Sequence, residues 1–135
     1  MTDIDDAPFV SIIMNCFNSA AYLSESLDSV LTQTFTDWEV VFWDNQSTDE
    51  SSVIFNSYTD ERFRYYMAPV HNVLGHARNL AVEQARGKWI AFLDCDDLWF
   101  PEKLEKQVDI IRKGTPDLGL VYGHMRILTD ERSSL

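Results

Sequence analysis

Three carboxylates fall within four residues at Asp94-Cys95-Asp96-Asp97, directly after the apolar run Trp89-Ile90-Ala91-Phe92-Leu93. Like charges set this closely repel one another and cost stability unless a cation or good hydrogen-bond donors offset them. A hard divalent ion, Mg²⁺ or Mn²⁺, is the economical offset. It takes oxygen ligands, and when held by only one or two carboxylates it keeps positions open for the oxygens of a diphosphate. The competing reading is that Asp96 and Asp97 merely favour the N-terminus of the helix beginning near Pro101, a job for which one acid suffices.

Two more residues bear on the same chemistry. Asp44 ends the apolar stretch Trp38 to Trp43, and its carboxylate can accept hydrogen bonds from a base or ribose edge; equally, such a residue can close an Asx-turn. Arg78 falls in the first turns of a helical stretch and can reach a diphosphate, although an exposed helical arginine taken alone is more often a surface residue. His71, His76 and His124 are scattered and receive no role. Cys95 is flanked by carboxylates, which should raise its thiol pKa and argue against a nucleophile. Neither G-x-G-x-x-G nor G-x-x-x-x-G-K follows the first strand, so dinucleotide and P-loop readings lose their main support.

The elements that must position these residues alternate along the chain. Phe9 to Met14 reads as a buried strand, Asn15 to Ala20 as a loop with Ser19 as N-cap, and Leu23, Leu27, Val30 and Leu31 as a helical stripe. Trp38 to Trp43 is a second strand, Asp44 to Asp49 a polar turn, and Glu50 to Tyr58 a helix carrying Val53, Ile54 and Tyr58. Phe63 to Met67 is a weaker strand. A helix opened by Gly75 places Ala77, Leu80, Ala81 and Ala85 on one face, with Gly87 at the position of a left-handed C-cap. The strand Trp89 to Leu93 leads into the acids. A last helix carries Leu104, Val108 and Ile111 and stops at Gly114 and Pro116, before a final strand at Leu118 to Tyr122. This alternation implies a three-layer α/β/α domain with a mostly parallel sheet covered on both faces. In such sheets ligands sit beyond the carboxyl ends of the strands, which selects the loops Asn15–Ser19, Asp44–Asp49 and Asp94–Asp97.

The 135 residues make one domain, organised as an extended or disordered N-terminus at 1–8, the α/β domain at 9–123 and a tail at 124–135. Asp and Glu number 22 against 11 Lys and Arg, a formal charge of -11 that repels polyanions and speaks against a nucleic-acid partner. Cys16 and Cys95 lack any CxxC or Cys/His spacing, and a reducing compartment follows. No apolar stretch is long enough to cross a bilayer. The location expected is the cytoplasm, at most peripheral to the inner face of the membrane.

Four motifs in order carry a family resemblance: Val10-Ser11-Ile12-Ile13-Met14-Asn15-Cys16-Phe17-Asn18, Ser29-Val30-Leu31-Thr32-Gln33-Thr34-Phe35, Asp44-Asn45-Gln46-Ser47-Thr48-Asp49, and Ala77-Arg78-Asn79 leading to Phe92-Leu93-Asp94-Cys95-Asp96-Asp97-Leu98-Trp99. Over Pro8 to Gly123 the chain resembles the inverting, nucleotide-sugar-dependent glycosyltransferases of family two, with the GT-A fold and its Rossmann-like nucleotide-binding half. The resemblance implies that Asn15, Cys16, Phe17 and Asp44 hold the donor's base and ribose, commonly uridine, and that Arg78 faces the diphosphate. Asp94-Cys95-Asp96 looks like the D-x-D motif, with Asp94 near the ribose and Asp96 on the metal. Two loops depart from the usual Pro-Thr-Tyr-Asn and Asp-Asp-Gly-Ser, at Asn15, Cys16, Asn45 and Gln46. The resemblance places the general base beyond Leu135, together with the site for a glycan, lipid-linked or other acceptor, and suggests a role in cell-wall or polysaccharide biosynthesis. The sheet edge left open offers a homo-oligomeric contact. Two other functions compete: a sugar-phosphate nucleotidyltransferase, for which Asn15 to Ala20 lacks the Gly-rich basic loop, and a non-catalytic nucleotide- or metal-binding module.

Overall fold

The computed structural model describes residues 6–128. The expectations for 1–5 and 129–135 lie outside the described residues. Four strands, β1 (Val10–Cys16), β2 (Trp38–Asp44), β3 (Phe63–Met67) and β4 (Trp89–Phe92), alternate with four helices, α1 (Ala20–Leu31), α2 (Ser51–Asn56), α3 (Leu74–Val82) and α4 (Lys103–Lys113). The strands form one parallel sheet in the order β3-β2-β1-β4.

Successive strand side chains point to opposite faces, and this divides the core in two. On one face Val10, Ile12, Met14 and Cys16 of β1 and Trp38, Val40 and Phe42 of β2 pack with Leu23, Leu27 and Val30 of α1, Phe55 of α2, and Leu104 and Val108 of α4. On the other, Ile13, Val41 and Trp43 meet Ala77 and Ala81 of α3, whose small side chains let the helix approach the sheet closely. Fully burying a side chain such as Leu23 or Leu27 contributes about 1.5–3 kcal/mol. The result is the three-layer α/β/α architecture expected from the alternation.

Several local expectations need correction. The first strand continues through Asn15 and Cys16, because both pair in register with Trp43 and Asp44 of β2. Ser19 stands at the N-cap position but makes no side-chain cap; the first turn is held instead by Asp49 Oδ2, which accepts from Ala20 N at 3.0 Å. Leu31 is exposed, as is Val53 at 62%, and Phe55 is the apolar residue that α2 fully buries, beside Ser51. That helix is shorter than Glu50 to Tyr58, ending at Asn56.

Gly87 is not a left-handed cap: α3 ends at Val82, and no glycine has a positive φ among the described residues. Its role is close approach, since a Cβ there would lie 2.6 Å from Ser11 N. Leu118 to Tyr122 forms no strand. Val121 and its neighbours pass beside Trp89 to Ala91 without a ladder, and Leu120 and Tyr122 are exposed. Coverage of both faces also fails at β4, where Ile90 and Phe92 are exposed. No helix among the described residues is long and apolar enough to cross a membrane.

Candidate functional site

Strands β2 and β3 lie to one side of β1 and β4 to the other, so the order of the strands switches direction at β1, where a crevice opens beyond the carboxyl ends. The three loops selected from the sequence meet there. Asn18 N donates to Ser47 Oγ at 2.9 Å, and Thr48 N donates to Asn18 Oδ1 at 2.7 Å, tying the loop after β1 to the loop after β2. Asn18 and Gln46 both adopt positive φ, 50° and 71°, a conformation that asparagine tolerates better than most residues. Ser26 of α1 lies within 2.9 Å of Cys95 O and 2.6 Å of Asp97 O, so its one hydroxyl proton is shared between two carbonyls of the acidic loop.

The acidic loop brings Asp94, Asp96 and Asp97 together: one carboxylate oxygen from each lies within 4.8 Å of the others, and all three residues are exposed. Asp97 was not among the sequence-assigned ligands, though it belongs to the same run of acids. Partial burial raises its carboxyl pKa, and the charges of Asp96 and Asp94 push it the same way. Arg78 Nη2 donates to Asp94 Oδ1 at 3.0 Å, which joins two residues that the sequence singled out separately. The guanidinium also sits 5.8 Å from the Phe92 ring centroid. Arg78, Phe92, Asp94 and Asp97 line an open cleft of about 230 Å³. Phe92 was read from the sequence as part of the strand Trp89 to Leu93, and its exposure and place in this lining turn it toward the cleft.

The first loop divides by side chain. Phe17 is 51% exposed, whereas Cys16 is buried. Asn15 Nδ2 is buried without a hydrogen-bond partner among the described residues. Asp44 is fully buried: Oδ1 accepts from Ser47 N, three residues on, at 2.8 Å, and Oδ2 accepts from Tyr65 OH at 2.7 Å. Burial and that bond hold the Tyr65 phenol above its ordinary pKa.

Cys16 and Cys95, distant in sequence, are neighbours under the crevice, and both thiols are free. Cys95 Sγ donates to Asn15 O at 3.4 Å, and Cys16 Sγ lies 3.6 Å from Ser47 Oγ. The Cys95 thiol is raised, first by its contact with Cys16 and then by burial, with Asp94 only a minor cause. The sequence-based direction is correct, but its main cause is different. Cys16 is correspondingly lowered, chiefly by the neighbouring Cys95 thiol, with the Ser51, Ser47 and Ser19 hydroxyls acting the same way.

A parallel sheet with its crevice at the switch of strand order and carboxylates after the last strand is the arrangement that the resemblance to GT-A enzymes leads one to expect, and comparison with known proteins agrees on the fold. The family model "Glycosyl transferase family 2" matches residues 11–129, and the chain belongs to that family. A similar curated relative is the Escherichia coli UDP-Glc:alpha-D-GlcNAc-diphosphoundecaprenol beta-1,3-glucosyltransferase WfgD, 34% identical over 93% of this chain and 49% of its own length. Among solved structures, S. aureus TarS 1-349 in complex with UDP-GlcNAc aligns with a TM-score of 0.74 at 27% identity, covering 84% of this chain and 37% of TarS. The mannosyltransferase PcManGT from Pyrobaculum calidifontis, in complex with GDP-Man and Mn²⁺, aligns with a TM-score of 0.75 at 26% identity over 84% of this chain and 34% of its own. The chain thus spans about half the length of the WfgD relative, and less of the two structures.

Proposed function

We propose that this chain is the donor-binding part of a glycosyltransferase that takes a sugar from a uridine diphosphate donor, with inversion, in the presence of Mg²⁺ or Mn²⁺. The observation that carries the proposal is the trio of carboxylates within 4.8 Å of one another, beside Arg78, at the switch point of the sheet. Such a donor set fits a hard divalent cation, and the mutual repulsion at Asp97 is what a cation would relieve. Asp96 and Asp94 are assigned as its ligands, with Asp97 close enough to join them. When bound, the cation supplies positive charge that stabilises a departing nucleoside diphosphate.

The chain's own residues do the rest. Arg78 exchanges its bond to Asp94 for diphosphate oxygens, acting as a planar donor. Phe17 offers an exposed ring to the base, and the unpaired Asn15 amide supplies a donor at the crevice floor. Asp44, with both oxygens engaged, holds the shape of the second loop and of Tyr65 around the ribose side. The buried Cys16 and Cys95 keep the β1 and β4 ends together. The WfgD name describes an acceptor on a lipid diphosphate, which supports a lipid-linked glycan acceptor here and work at a membrane surface.

Calorimetric titration with uridine diphosphate tests the proposal. Binding should require Mn²⁺, and Asp96→Ala should abolish that requirement together with most of the affinity. Metal-independent binding in both proteins would remove the assignment.

A further inference from the structure

Asn45 and Gln46 stand where the resemblance leads one to expect aspartate and glycine, and in the structure both turn toward the segment between β3 and α3. Asn45 Nδ2 donates to Asn72 O at 2.7 Å and Asn45 Oδ1 accepts from Asn72 N at 2.9 Å, while Gln46 Nε2 donates to Ala68 O. The stitch also fixes His71, whose Nδ1 lies 2.9 Å from Asn45 O. A backbone carbonyl only accepts, so this contact places the neutral ring's hydrogen on Nδ1 and leaves Nε2 with a lone pair. Among the described residues Nε2 has no partner. The imidazole packs against Phe17, ring centroids 4.6 Å apart and planes at 65°, and both residues are exposed.

From this we infer that His71 is a specificity-determining residue for the donor's base, its Nε2 accepting the ring N–H of a uracil that lies against Phe17. The inference rests on the nucleotide-donor reading above and names which base that site selects. A nucleoside diphosphate has two chemically different ends. The acids after β4 suit the diphosphate side, and the Phe17–His71 pair, set between the loops after β1, β2 and β3, suits a flat base. Uracil presents N3–H to an acceptor, whereas cytosine presents a bare N3 lone pair at the same place. A lone pair held by the Asn45 anchor therefore favours the first and repels the second. The Asn45 side chain, through its two bonds to Asn72, holds the segment that carries this ring.

The test compares affinities for uridine diphosphate and cytidine diphosphate, in Mn²⁺, among the wild type, His71→Asn and His71→Gln. Asparagine can keep a donor on the Asn45 carbonyl but offers nothing at the Nε2 position, and glutamine can reach that position with its oxygen. The wild type should prefer uridine diphosphate by roughly tenfold, the value of one well-placed hydrogen bond. His71→Asn should bring the ratio near one with inorganic pyrophosphate affinity unchanged, and His71→Gln should recover part of it. A wild-type ratio near one, or a ratio unchanged in His71→Asn while pyrophosphate still binds, overturns this inference alone. Failure of the wild type to bind either nucleotide or pyrophosphate overturns the donor reading and this inference with it.

Discussion

Glu39→Gln is expected to be among the most damaging single substitutions that leave the core volume intact. The side chain is 1% exposed, yet it is ionised and surrounded by donors. Oε1 accepts from Ser11 Oγ at 2.7 Å and Arg86 N at 2.8 Å; Oε2 accepts from Arg86 Nε at 2.8 Å and Arg64 Nη1 at 2.9 Å. Glutamine replaces one acceptor with an NH₂ group facing those donors and removes the charge from both ion pairs. Breaking a buried pair costs 3–5 kcal/mol, and the low end applies here because the Arg64 and Arg86 side chains are 27% and 55% exposed and regain water. A loss of about 3 kcal/mol, with a urea m-value near 2 kcal/mol/M, moves the unfolding midpoint down by about 1.5 M. Burial works against the Glu39 carboxylate, but the bonds from Ser11, Arg86 and Arg64 outweigh it and hold its pKa below the ordinary 4.5. The folded state therefore binds this proton less tightly than the unfolded chain. Its contribution is full above about 4.5 and is lost as pH falls through the lower folded value. Urea melts from pH 7 to pH 3 should show the variant losing less stability on acidification than the wild type. A midpoint shift under about 0.5 M, or identical acid slopes, would refute the reasoning.

Three further outcomes can be checked separately. Gly87→Ala drives a methyl to 2.6 Å from Ser11 N and 2.9 Å from Val10 C, both backbone atoms of the central strand, and should destabilise by about 1–3 kcal/mol in the same melts. Ser26→Ala removes the donor shared by Cys95 O and Asp97 O; a loss of about 1–3 kcal/mol in stability should accompany weaker Mn²⁺ binding, read by the paramagnetic resonance of free Mn²⁺. Arg78→Ala should change stability by no more than about 0.5 kcal/mol, since its pair with Asp94 is exposed, but should weaken uridine diphosphate binding at least tenfold by calorimetry.

What the sequence made legible follows from which signals are local. The apolar runs before Asp44 and Asp94 and the helical stripes of α1 and α4 are local patterns, and they lead directly to the layers and to the three loops. The residues that failed depended on partners elsewhere. Ser19 looks like a cap until Asp49 arrives from 30 positions away to satisfy Ala20 N. Leu118 to Tyr122 has a strand's composition but forms no ladder with a neighbour. Gly87 reads as a helix stop, while its real constraint is contact with Ser11, 76 residues earlier. In the site, the acids are visible as a run, but the pairing of Arg78 with Asp94, the meeting of Cys16 with Cys95, and the seat of His71 on Phe17 exist only after the chain folds.

Crystals grown with Mn²⁺ and uridine diphosphate test whether Asp94, Asp96 and Asp97 gather a divalent cation that meets the donor's diphosphate. An anomalous manganese peak is expected on Asp96 and the diphosphate oxygens, with Arg78 turned onto the same oxygens and the peak absent in Asp96→Ala. A nucleotide bound with no manganese beside these carboxylates, or manganese bound at a site remote from the nucleotide, would contradict it.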